Sequence, residues 1–276
     1  MLAEIVLTAA LAQWKGDIEA RSGLPLVVAE TEYEANDHSF RLAPDTPQRA
    51  AFIEYLQVEN FRRQYMQMYA VMIHHKAAGG SAYLVMLNGM RRADWKGHEE
   101  ALIAHEFGHA WIKAQGYPTP IFIDNQWACV GVHSGDVVQH GLIRSELDKR
   151  GIEYRKFWLG GLETATLQME TSPSPAPEDR CARIRVAAQW LDVKLGLKPG
   201  EWPAQARYEA ALRKWMPEVE PTVDQIVNLL KGKDLSDKDV HRAALKAVFE
   251  ALKDLGYERS KPYRVYVTLK ETPRVS

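Results

Sequence analysis

Two histidines four residues apart, flanking a glutamate, carry the strongest chemical signal in this sequence: His105-Glu106-Phe107-Gly108-His109, within ALIAHEFGHAWIKAQG. Residues i and i+4 of a helix share a face one turn apart, so both imidazoles can reach a single cation. Zinc takes imidazole nitrogen at about 2.0–2.1 Å, prefers a tetrahedral set, and in catalytic sites keeps one position for water. The metal brings the pKa of that water down to about 7, and a carboxylate at Glu106 can then take its proton. Leu102, His105, His109 and Ile112 fall on one stripe, so the rings share a face with apolar residues, where unpartnered imidazoles would be costly. The expected cofactor is zinc, held by His105 and His109 with Glu106 as general base. Imidazole also suits iron, cobalt and nickel.

Two histidines do not hold zinc tightly, so a third protein donor is required. The segment SGDVVQHGLIRSELDKRG reads as the next strong helix, and Asp136, His140, Ile143 and Leu147 share one stripe of it. His140 is favoured as the ligand, with Asp136 behind an imidazole and orienting it. The reverse assignment, Asp136 as ligand, stands as the alternative, followed by Glu163 and Glu170. Asp136 also suits a helix N-cap.

The run from Ile103 to Trp111 resembles the active-site helix of the zincin metallopeptidases, and the resemblance covers roughly residues 80–150. The metzincin continuation is absent, because Ile112 and Gln115 stand where that pattern needs Gly and His. The resemblance implies a substrate-binding edge strand ahead of the helix, and SAYLVMLNG is placed to be that strand. Its exposed edge would hold an extended peptide by strand addition. It also implies hydrolysis of a peptide bond, with Glu106 passing the proton to the leaving amine. The rival reading is a regulatory or binding protein that keeps the scaffold, its metal serving structure or sensing.

The elements that must position these residues follow from periodicity and breakers. A helix is expected over about 2–21, a strand at LPLVVAETEY, a loop over 35–47 and a long helix over 48–76 closed by Gly79-Gly80. SAYLVMLNG reads as a strand turned by Asn88-Gly89, the motif helix spans Gly97 to about Gln115, and IFID reads as a short strand. Residues 124–134 read as loop, and 153–170 fit either strand or helix. Helices follow at about 179–195, 203–215, 222–231 and 236–255, with YRVYVTL (263–269) as a closing strand. The expected fold is α+β and predominantly helical: a small mixed sheet packed on the motif helix, with a helical C-terminal subdomain. Its domains would be a catalytic 1–170, a proline-rich linker at 171–180 and helices over 181–276. A single lobed domain is the alternative.

Several other residues weigh less. His98 lies too far along the helix to share the ion, and His74 and His75 suit a helix C-terminus. His133, Tyr117 and Arg144 are possible electrophiles for a developing oxyanion.

Lys and Arg total 35 against 36 Asp and Glu, which gives no electrostatic case for nucleic acid or an anionic membrane. The expected partner is a peptide or protein substrate, and the oligomeric state is unspecified. No apolar stretch approaches the roughly 20 residues of a membrane span. Glu4, with no Lys or Arg before the first apolar run, is wrong for a secretory leader. The expectation is therefore a soluble, cytoplasmic protein. Cys129 and Cys181 permit one bridge at most, and with no C-x-x-C pair a sulfur-ligated zinc is not expected.

Overall fold

The computed structural model describes residues 5–34, 39–43, 48–57, 62, 65–77, 80–119, 128–175 and 179–256. The described residues form two compact units. The first comprises the chain up to Gln115 together with Glu146–Phe157, the second Gly116–Ser145 and the chain from Trp158 onward. The proline-bearing stretch 171–180 falls inside the second unit. No described helix is long and apolar enough to cross a membrane.

The first unit is built on a four-stranded mixed sheet of β1 (Leu26–Glu34), β2 (Ser39–Ala43), β3 (Ala70–Ala77) and β4 (Gly80–Asn88), in the order β2-β1-β4-β3. β1 runs parallel to β4, in register from Leu26↔Tyr83 to Thr31↔Asn88, and antiparallel to β2. β3 and β4 pair antiparallel from Ala77↔Gly80 to Ala70↔Leu87. β4 is buried on both faces from Ala82 to Asn88, which is why its sequence is a continuous apolar run without alternation. On one face Ala82, Leu84 and Met86 pack with Phe52 and Leu56 of α2 (Arg49–Gln57).

After β4 the chain turns sharply through a 3₁₀ turn (Gly89–Arg91) and α3 (Arg92–Trp95) into α4 (Glu99–Ala114). Asn88 organises this turn. Its Nδ2 donates to the carbonyls of Tyr65 and Met68, both at 3.0 Å, its Oδ1 accepts from Met90 N at 3.1 Å, and its own carbonyl accepts from Trp95 Nε1 at 3.0 Å. The next residue has to be glycine, because a Cβ there would stand 2.8 Å from Glu30 Oε1 and 2.9 Å from the Thr31 carbonyl.

α4 lies against β3, β4 and α1 (Ala9–Ser22). Packed from several sides, it buries Leu102, Ile103, Ala104, Phe107, Ala110 and Ile112. Each large apolar side chain taken out of water there contributes about 1.5–3 kcal/mol. Trp14 of α1, fully buried, meets Phe107 edge-on at 6.2 Å. The helix gives way at Gly116, which takes φ 75°.

The second unit is helical: most of α5 (Ala128–Lys149), then α6 (Arg155–Thr171), α7 (Arg180–Gly196), α8 (Gln205–Trp215), α9 (Glu220–Leu230) and α10 (Lys238–Gly256). α7, α9 and α10 pack on one another around a core that includes Ile184, Trp190, Leu191, Val223, Ile226 and Phe249. Cys129 and Cys181 are joined by a disulfide, Cα to Cα 5.9 Å, the single bridge the sequence permitted.

The described residues thus bear out a predominantly helical α+β chain with a small mixed sheet and C-terminal helices. Four local readings need correction. The long helix expected over 48–76 is α2 followed by β3, because Val71, Met72 and Ile73 pair across to β4 and that pairing overrides the helical spacing. His74 and His75 therefore lie on a strand and not at a helix end. β2 occupies part of the loop expected over 35–47. β4, expected as an edge strand, has neighbours on both sides. Finally, residues 128–134, inside the expected loop, are helical and belong to α5. Ser134 satisfies its hydroxyl by donating to the Val130 carbonyl at 2.6 Å, and buried Val137 and Val138 hold the helix against Gly131 and Gly135. Residues 153–170 resolve as helix. IFID and YRVYVTL lie outside the described residues.

Candidate metal centre

In the first unit, α4 places the motif on a fixed frame. The His105 and His109 rings stand with centroids 5.0 Å apart and planes at 82°, one turn apart on the same face. Both are partly exposed, whereas the neighbours on the other faces of the helix are buried. Glu106, on the same turn of the helix, is 7% exposed, so its carboxylate sits largely out of water. Two imidazoles on one helix face are donors that suit zinc, and a third protein donor would be needed to hold it.

In the second unit, α5 carries Asp136 and His140 toward α7. His140 Nδ1 and Asp192 Oδ1 are 3.1 Å apart, and Arg144 Nη1 donates to the same oxygen at 2.6 Å. Asp136 Oδ1 lies 3.8 Å from His140 Nε2, and its Oδ2 lies 3.4 Å from His133 Nδ1. Burial works against charge on Asp192, but the Arg144 guanidinium and the His140 ring outweigh it and hold the carboxyl well below the usual carboxylate range. Burial likewise disfavours an imidazolium at His140. Asp192 and Asp136 more than offset it and raise the pKa. A carboxylate on Nδ1 is the arrangement that orients a ligand imidazole and presents Nε2.

Asp192 was not anticipated, although a signal existed. Ile184, Ala188 and Asp192 recur every four residues on α7, so a carboxylate interrupts an apolar stripe, just as His140 and Asp136 do on α5. Asp136 is in the third turn of α5, so it does not cap the helix.

The other candidates take different places. Glu163 is exposed on α6, and Glu170, also exposed, is held by Arg207 in a two-point pair with Nε at 2.8 Å. His98 stacks at 5.3 Å on Phe157. His74 is driven down to about 4, first by burial and then by the positive charges of Lys113 and Lys76 and its neighbour His75. Arg144 is committed to Asp192 and lies over the Trp158 ring at 4.8 Å. Tyr117 donates to the Ser236 carbonyl at 3.0 Å, and its phenol is pushed up by burial and by Asp234 and Asp237. By unit, then, His105, Glu106 and His109 belong to the first, and Asp136, His140 and Asp192 to the second. No family model, curated protein or solved structure matches the chain.

Proposed function

We propose that the protein is a zinc-dependent hydrolase of the zincin type that cleaves peptide bonds. The observation that carries this reading is the His105–His109 pair, turned to one face of an otherwise buried helix that also carries the buried Glu106. His105 and His109 would hold the metal, and the third donor expected from the sequence is His140, whose Nδ1 meets Asp192. Asp136 as ligand is the alternative. When bound, zinc supplies Lewis acidity that acidifies water and polarises a carbonyl. Glu106 takes the proton of the attacking water and delivers it to the leaving amine, a task that a carboxylate in a largely dry setting performs well. Phe107, Ile103 and Ile112, all buried, fix the helix so that the carboxylate and the rings keep their spacing. Since β4 is paired on both sides, an extended substrate would add to β3, which among the described residues has a neighbour only in β4.

The test uses the full chain loaded with zinc and a peptide library. Glu106→Gln should keep the zinc and lower hydrolysis by about 10²–10⁴-fold, while His105→Ala and His109→Ala should lose the metal. Zinc content unchanged in both histidine variants would refute the site. Zinc bound with no peptide cleaved, and Glu106→Gln indistinguishable from wild type, would instead favour a binding or regulatory protein on the same scaffold.

A further inference from the structure

We propose that Cys129, His133 and Cys181 form a second metal site, open to a zinc-class cation when the disulfide is reduced and closed while it is intact. It is separate from the hydrolase reading and shares no ligand with it.

One ligand atom from each of the three residues lies within 4.8 Å of the other two. Cys129 and His133 are four apart on α5 and share a face. Cys181 comes from α7, and the two cysteine Cα atoms are 5.9 Å apart. Two sulfurs on one tetrahedral zinc stand about 3.8 Å apart, given Zn–S distances of about 2.3 Å. Rotation of the side chains reaches that separation from Cα atoms so placed.

Three further features favour a cation over an idle pair of thiols. Cys181 is the second residue of α7, where the helix dipole favours the thiolate that a metal needs. His133 Nδ1 faces Asp136 Oδ2 at 3.4 Å, an arrangement that leaves Nε2 to serve as the ligand nitrogen. Cys181 is exposed and the His133 side chain is 21% exposed, so reductant and ion can both arrive. Two thiolates and an imidazole, with water in the fourth position, are a known zinc set.

The switching step balances. A dithiol reductant gives two electrons and two protons to the Cys129–Cys181 bond. It becomes a disulfide itself, and the two cysteines become thiols. On binding the cation, each thiol releases its proton to solvent. A reducing compartment selects the metal form and an oxidising one the bridged form.

The test titrates cobalt(II) into the full chain, without oxygen, before and after reduction by a phosphine. A sulfur-to-cobalt charge-transfer band should appear only in the reduced protein and reach the strength of one sulfur-bound ion per chain. Zinc should abolish it. Because that band requires sulfur, it does not report on His105 and His109, so the two sites fail or succeed independently. His133→Ala should weaken cobalt binding by at least about 10-fold, and Asp136→Asn by about 10–100-fold. Far-UV circular dichroism of the bridged variants controls for folding. No band on reduction would overturn the proposal, as would full-strength binding by His133→Ala. A reduced chain that loses its helical signal and does not regain it with cobalt would overturn it equally.

Discussion

His241 offers a quantitative test of the second unit. It lies near the start of α10, fully buried, with Nδ1 donating to the Leu235 carbonyl at 3.2 Å and the Tyr117 ring 5.0 Å away. Because a carbonyl only accepts, the proton must sit on Nδ1. Nε2 is buried without a hydrogen-bond partner among the described residues. Burial therefore drives the pKa down to about 4, against a slight upward pull from Leu235. The native state stays neutral where the unfolded chain takes up a proton, so stability falls as pH drops from about 6.5 toward 4. Between pH 7 and pH 5 the loss from this one group works out at about 2 kcal/mol. His241→Asn keeps a donor near the Nδ1 position and removes the titration. Urea denaturation followed by far-UV circular dichroism at both pH values would give the comparison. The variant starts less stable, but its loss on acidification should be smaller than that of wild type by about 2 kcal/mol. Equal losses in the two proteins would refute the reasoning, and would mean that the buried ring gains a proton in the folded state at little cost.

Two further outcomes follow from the site and its frame. Asp192→Asn removes the negative charge behind His140 and should lower zinc affinity by about 10–100-fold, read by competition with a chelating dye. Unchanged affinity would remove His140 from the ligand set. Trp14→Ala opens a void where a fully buried ring meets Phe107 and should cost about 3–5 kcal/mol, measured by chemical denaturation. A cost below about 1 kcal/mol would show that α1 does not brace the motif helix.

Much of this was readable in advance, for definable reasons. The helix that carries His105 and His109 announced itself through a strict spacing, a glycine stop and a stripe of apolar residues. The helices after residue 179 are legible from their apolar spacing, and the first of them also from a cap, Asp179 accepting from Ala182 N. β3 did not show, because Phe52, Leu56, Tyr65, Met68 and Met72 mimic one long apolar face, and only pairing with β4 decides the matter. The central position of β4 was equally hidden, since strand order depends on partners far away in sequence. Asp192 is separated from His140 by 52 residues. The Cys129–Cys181 contact spans the same distance, and in neither case does local sequence name the partner, although the Asp192 carboxylate does interrupt an apolar stripe. The Cys–His grouping carries no C-x-x-C spacing for the same reason: its two cysteines come from different helices.

The anchoring of Asn88 bears on how the protein ages. Asparagine followed by glycine is the dipeptide most prone to cyclise, since the small residue lets its amide nitrogen attack the side-chain carbonyl carbon. Here that carboxamide is tied at both ends, donating twice and accepting once, and cannot swing into the attacking geometry. Isoaspartate at position 88 in a stored sample would therefore record time spent with this corner of the sheet undone.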